Sequence, residues 1–167
     1  NLVSTSRRRM LINGEDNSVI RLSDFAGIIP AINGKIELVY EGEEQGADQI
    51  SYDLINEGVK SIFKKYFPEI KKLQKQDEVS PYDEIVEWFL VNENEIFIGD
   101  EFTNVEYEKV LNSVKPLDDL IDKYCNNQEK QDLLFFKELL LWGMSAFKKL
   151  DKNRMLDGLE FKDSIGT

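Results

Sequence analysis

Three consecutive arginines, Arg7-Arg8-Arg9, and a cluster of carboxylates, Glu37, Glu41, Glu43 and Glu44, are the residues of this chain whose type and spacing suit chemistry. A guanidinium fork grips phosphate oxygens two at a time, and the N–H groups at a helix N-terminus favour anions, so arginines at the start of a helix suit a phosphate. Solvated arginines or surface ion pairs explain the same run without a ligand. The carboxylates fit a hydrated face, a contact with a partner protein, or a divalent-cation site. Two glycines, Gly42 and Gly46, and Tyr40 lie in the same stretch beside the Asn33-Gly34 turn. Ordering such a loop costs conformational entropy that a contact would offset, so an interface is the preferred reading.

Much other chemistry is absent from the residue types themselves. There is no histidine, and Cys125 is the sole cysteine, so a disulfide within the chain, a cysteine and histidine zinc site and a histidine general base are all excluded. No G-x-x-x-x-G-K-[ST] occurs, and Asn33-Gly34-Lys35 lacks both the first glycine and the hydroxyl of a phosphate loop. Asp151-Lys152-Asn153 with Asp157-Gly158 has the outline of a calcium loop, but its glycine falls at the eighth place instead of the sixth and no glutamate stands at the twelfth. No catalytic residue and no metal ligand is therefore assigned. With 21 basic and 32 acidic residues the 167-residue chain carries a net charge of −11, which opposes binding to nucleic acid or anionic membranes. No apolar run approaches the roughly 20 residues of a membrane span and no signal peptide opens the chain, so a cytoplasmic location is expected.

The elements that must position these residues read as helices. Residues 3–13 predict a helix capped by Ser4, Thr5 or Ser6 and ended by Gly14, with the arginines in its first turn and Met10 and Leu11 inward. Ser23 caps a short helix that Pro30 ends. Ile36, Leu38 and Tyr40 alternate with Lys35, Glu37, Val39 and Glu41, the period of a short strand with one buried face. From Ala47 to Phe67 the apolar positions Ile50, Leu54, Ile62, Phe63 and Tyr66 recur at helical spacing, with Gly58 admitting a close neighbour. Ser80-Pro81, the capping box Thr103 to Glu106, and Pro116 open three further helices. The broadest apolar arc runs from Leu133 to Phe147 and predicts a helix contacted on two sides, in which Gly143 and the Phe135-Phe136 pair have a packing role. The tail from Met155 to Thr167 offers Leu159, Phe161 and Ile165 as docking points and otherwise reads as surface. The fold class expected is all-α: a mainly helical bundle with at most one or two short strands, near residues 35–41 and 95–98.

The run Ile28-Ile29-Pro30 through Asn33-Gly34-Lys35-Ile36-Glu37-Leu38-Val39-Tyr40-Glu41-Gly42-Glu43-Glu44-Gln45-Gly46 resembles a signature of AAA+ ATPases of the magnesium-chelatase ATPase-subunit and MoxR-like branch. The resemblance spans residues 3–46 and thins to length and helical character beyond. It implies that residues 1–46 are lid helices with the connector, that residues 47–167 are a C-terminal helical bundle, and that a nucleotide-binding core precedes them in a longer protein. A first residue other than methionine agrees with that. By the same resemblance Arg7 stands at the sensor 2 position that reads the nucleotide's phosphate, with Arg8 selected if the register slips by one. Lys35, Glu37, Tyr40, Glu41, Glu43 and Glu44 would then meet the AAA+ core or a neighbouring subunit. ATP and Mg2+ bound mainly by the core, a hexameric ring and a partner with a von Willebrand factor A domain are further implications. So are remodelling or metal insertion in partner proteins. The alternative from another class is a free-standing acidic helical adaptor without ATPase activity.

Overall fold

The computed structural model describes residues 1–33, 35, 46–70, 79–91, 93–129 and 132–164. Among them the chain is mainly helical, and a small three-stranded antiparallel sheet closes one side. Helix α1 spans Leu2–Asn13 and ends at Gly14, whose φ of 63° is the left-handed conformation that glycine adopts without strain. A 3-10 helix, Leu22–Ile28, runs straight into a short helix α2, Ile29–Asn33. Pro30 therefore starts a helix where an end was expected, because in the first turn its missing N–H has no partner to lose.

Helix α3, Gly46–Tyr66, buries Ser51, Ile55, Val59 and Phe63. The inward stripe thus lies one residue along from the one expected, sharing only Phe63, and Leu54 is 56% exposed. Gly58 is not the point of close approach either, since a Cβ there would meet nothing within 4 Å. That role belongs to Gly143, where a Cβ would overlap the ring of Phe63. Helix α4 is Asp83–Val91 and strand β1 is Ile96–Gly99. Helix α5, Asn104–Ser113, opens with the expected capping box: Thr103 Oγ1 accepts from Glu106 N–H at 3.2 Å and Glu106 Oε2 accepts from Thr103 N–H at 2.8 Å. Pro116 opens helix α6, Pro116–Tyr124, with Leu117, Leu120 and Ile121 inward.

Helix α7, Leu133–Ala146, is the centre of the bundle: from Phe136 to Met144 every residue is buried. Its breadth of apolar residues is what contact with α3, α5, α6 and the sheet requires. The sheet corrects the all-α expectation. Strands β2, Leu150–Arg154, and β3, Gly158–Asp163, form a hairpin where a failed calcium loop and, apart from the docking points Leu159 and Phe161, surface were read, and β3 pairs on its other side with β1. Ile165, the third expected docking point, lies outside the described residues. Leu159 and Phe161 of β3 alternate into the core, and Leu150 joins them. The segment 95–98 thus does contain a strand, whereas residues 36–41 of the other expected strand lie outside the described residues. Leu22 and Ile29 belong to the same buried cluster as the α3, α6 and α7 side chains. Among the described residues no helix is long and apolar enough to cross a membrane.

Candidate functional site: the arginine face of the first helix

Helix α1 begins at Leu2, so the three arginines stand on its second turn and beyond, and not in its first turn as expected. The N-terminal macrodipole has little hold there, and a phosphate bound by them would be held by side chains alone. Successive helical residues point about 100° apart, and the three part company accordingly. Arg7 and Arg8 are exposed, while Arg9 is 4% exposed.

Arg9 fastens the helix. Its two terminal nitrogens donate to both carboxylate oxygens of Asp24, and Nη2 also donates to the Val19 carbonyl at 2.6 Å. Asp24 Oδ2 further accepts from the Arg21 N–H at 2.9 Å, which caps the 3-10 helix. Close to this pair the Ser6 and Ser18 hydroxyls share a hydrogen bond of 2.7 Å, and Thr5 sits where a side chain on Gly27 would overlap it. The buried face of α1 is thus polar, held by hydrogen bonds in place of an apolar seam.

A second layer continues the network inward. Glu138 of α7 accepts from the N–H groups of Leu22 and Ser23 at 2.7 and 2.9 Å and from the Tyr107 hydroxyl at 2.7 Å. Burial raises the Glu138 carboxyl, opposed by those three donors. Burial also raises the Tyr107 hydroxyl, helped by the nearby Glu138 carboxylate. The Arg21 guanidinium lies 4.3 Å from the Tyr107 ring centroid and donates to the Phe102 carbonyl at 2.7 Å. Burial, followed by repulsion from Arg9, lowers its pKa. Arg21 Nε and Nη1 are buried without an acceptor among the described residues, while Asp24 and Glu138 tie α1 through the 3-10 helix to α7.

What remains outside is a face of mixed character. Val3, Arg7 and Leu11 fall at intervals of four and share one side of α1, with Arg8 and Ile12 beside them. Val3, Leu11 and Ile12 are 54%, 74% and 51% exposed, and Leu11 had been expected inward. Arg8 Nη2 reaches Glu101 Oε1 at 3.0 Å, an ion pair between two largely exposed side chains. Arg7 makes no ion pair among the described residues. Of the expected interface group, Lys35 is exposed and its N–H donates to the Ile32 carbonyl at 2.8 Å. Glu37, Tyr40, Glu41, Glu43 and Glu44 lie outside the described residues. Nearby, Asn33 joins α2 to α3 by pairing with Asp48 and by accepting from the Ser51 hydroxyl at 2.6 Å.

Sequence reasoning passed over Arg21 and Glu138, took Arg9 only as a member of the arginine run, and placed Asp24 in the first turn of its helix, where it stands, without its pairing to Arg9. A signal existed for the two it passed over: Arg21 stands between Ile20 and Leu22, and Glu138 interrupts the broadest apolar arc of the chain. A charge inside a run that must be buried has to be paired there. Comparison of the chain with protein-family models, with curated proteins and with solved structures finds no match.

Proposed function

We propose that this chain is the lid and C-terminal helical region of a AAA+ ATPase of the magnesium-chelatase and MoxR-like kind, with Arg7 or Arg8 reading the γ-phosphate of ATP. The observation that carries the proposal is the inverted face of α1: polar Ser6 and Arg9 turn inward, while Val3, Leu11 and Ile12 turn outward around two exposed arginines. A helix so arranged is completed by a surface that buries the apolar side chains and supplies an anion, and a nucleotide-loaded core does both. The residues suit the role. Arg7 keeps its donors unpaired among the described residues, and an exposed pair such as Arg8 with Glu101 is worth about 0–1 kcal/mol, little enough for a phosphate to displace.

ATP and Mg2+ would be held mainly by the core, and the bound nucleotide supplies the chemical step. This chain's part is to orient a cation on a helix that cannot swivel, since Arg9 and Asp24 fix it to the 3-10 helix. Closure of the lid on one nucleotide state would then move neighbouring subunits of a ring and so remodel, or insert metal into, a partner protein. In the full-length protein, Arg7→Ala or Arg8→Ala is expected to lower ATP turnover at least about tenfold, or ~1.4 kcal/mol of transition-state stabilisation, with ring assembly by size-exclusion chromatography intact. Unchanged turnover in both variants removes the assignment.

A second reading, an acidic protein-binding adaptor, is favoured by another face. Between α5, α6 and α7 a groove of about 750 Å³ carries Glu108, Asp122 and Glu129 around Ile121, Leu133 and Leu134, with Asp118 in the same groove already paired to Lys137. Carboxylates around an apolar floor suit a basic amphipathic segment. A reading frame that continues upstream through Walker A and B motifs decides for the ATPase.

A further inference from the structure

A second cavity, about 250 Å³, opens where the 3-10 helix, α3, α7 and the hairpin meet. Its walls carry Gln49, Tyr52, Asn56, Trp142, Lys152 and Arg154, and no carboxylate is among its lining residues. Lys152 is the anomaly. Its ammonium lies 3.7 Å from the Trp142 ring centroid and donates to Asn56 Oδ1 at 3.0 Å, and it makes no ion pair among the described residues. Asn56 Oδ1 is shared, since it also accepts from Trp142 Nε1 at 2.8 Å. An ammonium has three donors, and one neutral acceptor with one aromatic face leaves two of them to the open cavity, on a half-buried side chain with no carboxylate among the residues lining that cavity.

Neighbouring charges do not fill that need. Glu138, whose field favours the charged form of Lys152, is already committed to the N–H groups of Leu22 and Ser23 and to Tyr107. Asp100 lies across Arg154, accepting from its Nη1 at 2.9 Å and its Nη2 at 2.5 Å. Arg154 therefore adds a partly neutralised guanidinium to the rim, and the positive charge in the cavity rests with Lys152.

We propose that this cavity binds a small carboxylate, whose oxygens meet Lys152 while its apolar remainder lies on Ala26 and Leu159. The amide of Gln49 and the hydroxyl of Tyr52 line the same cavity and offer the neutral donors such an anion needs. The cavity is smaller than the roughly 300–1,000 Å³ of sites for drug-sized molecules, which sets the ligand at a few carbons or one ring. Bound there, it would tie the amino-terminal segment and α3 to the hairpin. Burial pushes the Lys152 amine down to about 7, so a carboxylate would return it to the ammonium and draw a proton from solvent.

The probe is benzoate, with benzylamine as a control of the same ring and opposite charge. Millimolar benzoate is expected to raise the Tm of the chain by several degrees. Calorimetry near pH 8 in two buffers of different ionisation enthalpy is expected to show net proton uptake on binding. Lys152→Met should lose at least about tenfold in affinity and all of the proton uptake. Asn56→Asp, which would set a carboxylate against Lys152 within the chain, should abolish benzoate binding even if the first variant fails to fold. Equal shifts from benzoate and benzylamine, binding that neither variant weakens, binding of inorganic phosphate but not benzoate, or no binding at all would each overturn the proposal.

Discussion

The buried network around Asp24 and the cavity around Lys152 solve the same problem in opposite ways. Each removes cations from water. In the first, Arg9 is paired with Asp24 through both terminal nitrogens, the backbone N–H groups of Arg21, Leu22 and Ser23 donate to the Asp24 and Glu138 carboxylates, and only the Arg21 guanidinium keeps two buried nitrogens, Nε and Nη1, without an acceptor among the described residues. In the second, Lys152 has an amide oxygen and an indole face, beside open volume. Charges paired within the chain, as Arg9 is with Asp24, specify one arrangement of α1 and the 3-10 helix, whereas a cation beside open volume leaves its counter-ion to be supplied. The difference separates a structural use of charge from a binding use within one small fold.

The sharpest way to break this comparison is Asp24→Ala. That variant leaves the Arg9 guanidinium buried without its partner and the Arg21 N–H without its acceptor. Removing one member of such a pair costs about 3–5 kcal/mol, and at about 2–4 °C per kcal/mol for a chain of this size the Tm should fall by roughly 6–20 °C. A loss under about 1 kcal/mol in urea unfolding would mean that the network is not closed through Asp24.

Lys152→Met tests the other side, and the sign follows from proton counting. In the folded chain the Lys152 amine sits at about 7, against 10.5 as the ordinary value, so between those pH values the unfolded chain binds more protons. Wild-type stability should therefore rise relative to the variant as pH climbs from about 7 to 10.5, by up to a few kcal/mol, and the deficit should be complete below 7. Urea titrations of both proteins across that range measure the difference directly. Parallel curves would show a lysine whose charge costs nothing in the folded state, and the contrast with Asp24 would vanish.

How far such features can be read from sequence depends on whether one residue type is forced into one environment. The capping box at Thr103 and Glu106, the proline opening α6 and the breadth of α7 were legible because each answers a local requirement: an unsatisfied N–H, a fixed φ, a helix contacted on two sides. The hairpin was not. β2 is an edge strand of sequence Leu-Asp-Lys-Asn-Arg, in which only Leu150 is buried, so no alternating apolar pattern announces it. The stripe on α3 slipped because Ile50, Leu54 and Ile62 are as apolar as the residues actually inside, and only the position of α7 selects among them. Arg9 was hidden by its neighbours. Three like residues in a row look like one patch, although successive helical residues turn by about 100°, so the first and third point to nearly opposite sides and cannot share one.

That separation of Arg9 from Arg8 gives the smallest expected effect. Arg8 and Glu101 are 69% and 56% exposed in their side chains, so water and salt screen the pair, and holding two long side chains in one geometry costs entropy. Arg8→Ala should change stability by less than about 1 kcal/mol, and that small change should shrink further as salt is added. Beside the expected loss in Asp24→Ala, the result divides the arginine run into one residue that holds α1 in place and others whose removal the fold barely registers. A loss of several kcal/mol from Arg8→Ala would place Arg8 among the structural charges, and would leave Arg7 to carry the phosphate contact alone.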